Sequence, residues 1–163
     1  VHLWNPPYCG ESDIRIAKDG RWYHHGTLIR RSQLVKLFAS ILRREQDGTY
    51  ALVTPVERLG IQVDACPFVA TGFEYSGEGR HMSLNFMLNT EETVMADSTH
   101  RLELQVQDQQ PYPLLHVRAG LYALLSRNAY YALVDLATAE IGLQGEKVLS
   151  VWSRGERFEL GSF

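Results

Sequence analysis

Cysteine is scarce in this chain: its 163 residues include only two, Cys9 and Cys66. Two thiols are too few for the disulfide framework that staples small extracellular domains. Their separation fits neither a zinc pair nor a redox CxxC, so both are read as reduced. Long apolar runs are missing too. A spanning helix needs roughly 18 or more apolar residues, and the longest stretches, around Ala129–Val134 and Pro67–Phe73, are short and interrupted. Neither charge sign dominates. Sixteen Lys and Arg against 19 Asp and Glu give a net charge of −3 at pH 7, which points to neither nucleic acid nor an anionic membrane. The expectation is a soluble, cytoplasmic protein. The first residue is Val rather than Met, so the natural chain is expected to begin upstream.

Catalytic and metal signatures are equally thin. There is no GxSxG elbow and no Cys–His signature, so a hydrolase triad has no support. His24 and His25 are adjacent, and neighbours in a strand face opposite ways. No third ligand stands at zinc spacing. Gly77-Glu78-Gly79 joins two expected strands with no helix after it, which makes it a turn rather than a phosphate loop. No catalytic residue, metal or cofactor is expected.

What is present is an ordinary globular composition, 45% hydrophobic and 21% charged, enough for one domain or two small ones. The opening "WNPPYCGESD" reads as an irregular arm held to the body by Trp4 and Tyr8. Ile14 and Ile16 alternate, Asp19-Gly20 makes a hairpin turn, and Trp22–His24 and Thr27–Ile29 are short strands. Leu34, Val35, Leu37, Phe38, Ile41 and Leu42 then share one helical face. The spacing predicts a helix near 31–44, capped by Ser32 and closed by Arg43-Arg44. Arg30, Arg31, Lys36, Arg43 and Arg44 read as its solvated face.

Strands follow at Tyr50–Val53, Leu59–Val63, Val69–Tyr75, Met82–Leu88, Leu102–Val106, Leu114–Val117 and Leu121–Leu125. A second helix near 127–138 buries Tyr130, Tyr131, Leu133, Val134 and Ala137, with Ser126 or Asn128 as its cap. Val148–Trp152 and Arg157–Leu160 close the chain as a hairpin around "SRG". The fold class is therefore α+β, mostly antiparallel β with two helices.

The two helix regions resemble each other. "LIRRSQLVKLF" from Leu28 lies 96 positions before "LLSRNAYYALV" from Leu124. Gly48 with Leu52 echoes Gly145 with Leu149, and Ile14, Ile16 and Trp22 echo Leu104, Val106 and Tyr112. This describes duplicated β-β-α-β units: residues 1–70, holding the arm and the first unit, and residues 71–163, holding a second, larger one. A seam between two such units is a natural ligand cleft.

Among polar positions, Glu57 shares strand parity with Leu59, Ile61 and Val63. A carboxylate turned toward an apolar side needs a partner or a ligand. Trp4 and Asn5 sit on a proline-stiffened backbone suited to roofing a cleft. Arg118 follows the inward Val117 and offers a fork to an anionic group. Its plainer role is an ion pair with Glu57 or Asp64.

Six segments together resemble one family: "HLWNPPYCG", "RIAKDGRW", "LVTPVE", "VDACPF", "PYPLLHVRAGL" and "VWSRGERFEL". It is the proteobacterial domain-of-unknown-function family 1285 (DUF1285), and the likeness spans nearly the whole chain. The family has no established activity. The resemblance implies a duplicated two-part fold whose C-terminal half is superficially pleckstrin-homology-like. It also implies a small-ligand site, for a nucleotide-like molecule, between the halves, and a role in signalling. Carried over by position, its polar motif residues are Asn5, Asp13, Glu57, Asp64, His100 and Arg118. The stretch "TAEIGLQGEKV" is longer than the family pattern.

The leading functional expectation is a non-enzymatic, small-ligand-binding sensory protein. A protein–protein adaptor using the pleckstrin-like half is second, and an enzyme third.

Overall fold

The computed structural model describes residues 3–162 and divides them into two units. The first unit takes the chain to Phe68, with Ala119–Leu121. The second holds Val69–Arg118 and everything from Tyr122.

The first unit runs β1 (Tyr8–Ile16), β2 (Trp22–His24), β3 (Thr27–Leu28), α1 (Ser32–Ser40), β4 (Leu42–Arg44), β5 (Tyr50–Val53) and β6 (Arg58–Val63). Its single sheet has the order β3-β2-β1-β6-β5-β4. All pairs are antiparallel except β1 with β6, which is parallel. Ile16, Trp22 and Val53 are buried in its core, and the Trp22 ring stacks on Phe38 of α1 with centroids 6.1 Å apart. Each such side chain contributes about 1.5–3 kcal/mol by leaving water.

Three expectations change here. The arm is shorter than its prolines suggested, because β1 starts at Tyr8. Gly10, at φ +99°, lets the strand bulge where its register with β6 shifts. Pro6 is the buried residue of the arm, while Trp4 and Tyr8 are exposed. The first helix ends at Ser40 rather than 44. Leu42 pairs with Leu52 across β4 and β5, so Arg43 and Arg44 lie in a strand. Ladder partners far along the chain override a helical period that Leu42 happens to continue. Finally, Ser32 lies inside α1. Arg31 occupies the N-cap and supplies no side-chain cap bond.

The second unit begins one residue into β7 (Phe68–Ser76) and goes on to β8 (Ser83–Leu88) and β9 (Thr93–Met95). It continues with β10 (Leu102–Gln107), β11 (Gln110–Arg118), β12 (Leu121–Leu125), α2 (Arg127–Leu136), β13 (Thr138–Ile141), β14 (Lys147–Ser153) and β15 (Glu156–Ser162). One sheet runs β10-β11-β12-β7-β8-β9 and a second runs β13-β14-β15. β11 begins well before Leu114, taking in Pro111 and Pro113. Its turn from β10 places Asp108 and Gln109 at φ +50° and +63°, the left-handed pair that a two-residue hairpin demands. Ser126 caps α2 by accepting from the Ala129 N–H at 3.2 Å. Ala129 and Leu133 are buried on that helix, whereas Tyr131 is exposed. The long segment after α2 is strand β13 with its turn into β14.

The repetition is visible in the element order. Three strands, a helix and three strands make the first unit, and β10 through β15 repeat that succession around α2. The packing repeats as well. β1 lies beside β6 in the first unit, and β10 lies against β15 in the second. The hairpin of β7 and β8, continued by β9, has no counterpart and extends the second unit's sheet beyond β12.

A polar groove as candidate functional site

Strand register builds the site. Glu11 of β1 pairs with Gly60 of β6, Gly60 with Ala51 of β5, and Ala51 with Arg43 of β4. Residues in one such row share a face of the sheet. The middle of the row is small, Gly60 and Ala51 being buried, while both ends are charged. A sheet face with small residues between long ones is a trough.

The hairpin from β4 to β5 supplies one wall. The Glu45 N–H donates to the Thr49 carbonyl at 2.8 Å, and Gly48, at φ +89°, makes the turn. Asp47 Oδ1 accepts from the Thr49 hydroxyl at 2.6 Å and from its N–H at 2.9 Å. Those bonds, the hydroxyl's first, hold the Asp47 carboxyl below its usual range. Glu45 grips Arg43, whose Nη2 lies 3.0 Å from Oε1. Arg43 Nη1 also donates to the Trp4 carbonyl at 2.5 Å, which ties the arm down.

β1 supplies the opposite wall. The Tyr8 hydroxyl donates to Glu11 Oε1 at 2.7 Å, and that bond raises the Tyr8 pKa above the ordinary phenol range. The Glu11 carboxylate lies over Gly60 so closely that a Cβ there would collide with it.

Between the walls stands Arg58. Its guanidinium lies over the Tyr8 ring, 5.4 Å from the centroid. Nη1 is 3.7 Å from Glu45, too long for a hydrogen bond, and Nε is buried without a partner among the described residues. Two hollows that share Glu45, Asp47 and Arg58 follow. One, of about 620 Å³, is lined by Trp4, Asn5, Arg43, Glu45, Asp47 and Arg58, among others. The other, about 360 Å³, has Tyr8, Glu11, Glu45, Asp47 and Arg58 around the Ala51 and Gly60 floor.

Of the residues singled out from sequence, Trp4 and Asn5 line this groove. Asp13, Glu57 and Asp64 lie elsewhere on the first unit. Asp13 Oδ2 is 3.0 Å from His25 Nδ1 on an exposed hairpin. Asp64 receives Arg15, with Nη2 to Oδ2 at 2.8 Å. Glu57 is exposed, because it ends the turn that Thr54 closes and β6 starts one residue later. Arg58, its neighbour, is the one drawn into the groove. His100 and Arg118 belong to the second unit. His100 Nδ1 is 3.2 Å from the His116 carbonyl, and Arg118 Nη1 is 3.0 Å from Glu92 Oε2. Sequence reasoning passed over Glu11, Glu45 and Arg58. Leu42-Arg43-Arg44-Glu45, one apolar residue followed by three charged ones, carries no period that marks Glu45. Among the described residues, no group of three or more His, Cys, Asp and Glu is placed to hold a metal ion.

These observations define a two-unit, β-rich α+β protein with a repeated strand–helix–strand plan and a small polar groove on the first unit's sheet. Residues 1–66 match the family described as "Domain of unknown function (DUF1285), N-terminal domain", and residues 67–160 match "Protein of unknown function (DUF1285), C-terminal domain". The chain belongs to the DUF1285 family. It is similar to the crystal structure of a DUF1285 family protein from Silicibacter pomeroyi DSS-3, at 43% identity and a TM-score of 0.91, over 99% of this chain and 86% of that one. A DUF1285 family protein from Shewanella baltica OS155 is 28% identical with a TM-score of 0.60, over 76% of this chain and 91% of that one. No curated protein matches the chain.

Proposed function

We propose that this protein is a non-enzymatic sensor of a small polar molecule, acting in signalling, and that the groove on its first unit is the binding site. The observation that carries this reading is Arg58. A guanidinium has five donors, and this one makes no hydrogen bond to a described residue although its side chain is only 28% exposed. Arg58 keeps a long ion pair to Glu45 at 3.7 Å, and its buried Nε donor without a hydrogen bond costs on the order of 1–3 kcal/mol. An anionic ligand group forks onto the two Nη donors of Arg58, the buried Nε being out of its reach. Trp4, at the lip and 36% exposed, offers a ring for stacking. An exposed thiol at Cys9 fits a reducing compartment, which supports the cytoplasm as its location.

The test is a thermal-shift screen of nucleotides, amino acids and other metabolites. A ligand at 100 times its Kd adds about 2.7 kcal/mol to native stability. The expected result is a hit in the wild type that disappears in Arg58→Gln, while the ligand-free unfolding temperature changes little. A hit indifferent to Arg58→Gln would place the ligand elsewhere and refute the groove.

A specific feature favours the second reading, an adaptor acting through the second, pleckstrin-homology-like unit. Ile141, the last residue of the edge strand β13, and Leu143 just beyond it stand 83% and 107% exposed, and apolar edges of this kind recruit partner strands.

A further inference from the structure

Accepting the groove as the ligand site, we infer that its ligand is a small zwitterion of the amino-acid class, with its anionic group on Arg58 and its ammonium between Glu11 and Asp47. The smaller hollow carries the argument. Its charged lining is one guanidinium, Arg58, and three carboxylates, Glu11, Glu45 and Asp47. Glu45 is already committed, its Oε1 accepting from Arg43 Nε and Nη2 at 3.2 and 3.0 Å and its Oε2 lying 3.7 Å from Arg58 Nη1. That leaves one cation without a hydrogen bond and two carboxylates with capacity to spare. Glu11 uses Oε1 for the Tyr8 hydroxyl, and Asp47 uses Oδ1 for Thr49. The second oxygen of each has no hydrogen-bond partner among the described residues.

This balance selects against the simpler ligands. A polyphosphate brought to Arg58 meets the Glu11 and Asp47 carboxylates on the two walls, and like charges repel. A plain amine satisfies Glu11 and Asp47 but sets its charge beside Arg58. A molecule with both charges uses all three groups. The volume, about 360 Å³, lies at the small end of the ~300–1,000 Å³ typical of ligand pockets. Gly60 is part of the recognition, because only a residue without a Cβ lets the Glu11 carboxylate lie over the floor.

The probes are the common amino acids, each with its decarboxylated amine and its deaminated acid, tested at millimolar concentration by thermal shift beside a set of nucleotides. The expected result is that at least one amino acid raises the unfolding temperature when neither its amine nor its acid does. Its affinity should fall at least 10-fold in Arg58→Gln and in Glu11→Gln. Gly60→Ala separates recognition from folding. It keeps every charge, suits a strand, and displaces only the end of a flexible side chain, so the protein should unfold at its usual temperature while amino-acid binding falls at least 10-fold. If Arg58-dependent binding is found only for nucleotides or simple acids, and Gly60→Ala leaves it intact, the zwitterion is wrong and the groove stands. If nothing binds in an Arg58-dependent way, both fail.

Discussion

Two serines of β14 allow a paired test of how the second unit is held together. Ser150 and Ser153 are both 0% exposed, yet they do opposite things. The β8–β9 ladder continues past its last strand pair with the Ala96 N–H donating to the Leu84 carbonyl at 2.9 Å. The reciprocal bond is not direct. The Leu84 N–H donates to Ser153 Oγ at 2.9 Å, and Ser153 Oγ donates to the Ala96 carbonyl at 2.6 Å. A side chain from a third strand is thus spliced into the ladder. Leu84 and Ala96 are themselves 0% exposed, so Ser153→Ala strands a donor and an acceptor where water does not reach. At about 1–3 kcal/mol for each orphaned group, less what relaxation recovers, the cost is about 2–4 kcal/mol. Ser150 Oγ has no partner among the described residues. Ser150→Ala deletes an unsatisfied hydroxyl, so its effect should lie between zero and about 1 kcal/mol of added stability. Urea unfolding followed by circular dichroism and tryptophan fluorescence reads both. For a slope of about 2 kcal/mol/M, Ser153→Ala should lower the midpoint by roughly 1–2 M, and Ser150→Ala should not lower it. Equal losses from the two substitutions would refute the reasoning, as would a Ser153→Ala protein as stable as the wild type.

The helix ends give a second contrast. Arg31→Asp should place a capping carboxylate where α1 has none and add about 1 kcal/mol, whereas Ser126→Ala should cost α2 about the same; chemical denaturation of each variant checks the signs. The Asp97 carboxyl feels burial, which raises its pKa, but the N–H groups of His100 and Thr99 and the Thr99 hydroxyl outweigh that and leave it lowered. A lowered carboxylate adds stability that is present above the ordinary Asp range, near pH 4, and is lost as pH falls through the folded value. Unfolding midpoints of the wild type should therefore fall more steeply than those of Asp97→Asn between pH 5 and about 2, and parallel curves would refute this.

The residues carry much of the architecture on their face. Tyr50–Val53 and Trp22–His24 form strands because strand-favouring residues, Trp22, Tyr23, Tyr50 and Val53, are concentrated there, and the α2 period of 3.6 is uninterrupted between Ser126 and Leu136. The duplication was legible for the same reason, since a repeated local pattern needs no knowledge of contacts. Local reasoning failed where two patterns overlapped. Leu42 continues a helical stripe and also opens the strand Leu42–Arg44, and nothing within that segment decides between helix and strand. The choice is made by Leu52, which pairs with Leu42.

The groove shows the same division more sharply. Composition alone establishes that Glu11, Arg43, Glu45 and Arg58 are charged and that Gly60 lacks a side chain. That Glu11 lies over Gly60 follows only from the parallel pairing of β1 with β6, and that Arg43 stands in their row follows only from β5 lying between β6 and β4. A strand's own residues specify which of them share a face. Which strand lies beside it is settled by long-range burial and ladder hydrogen bonds, and it is those neighbours that turn separate charges into a site.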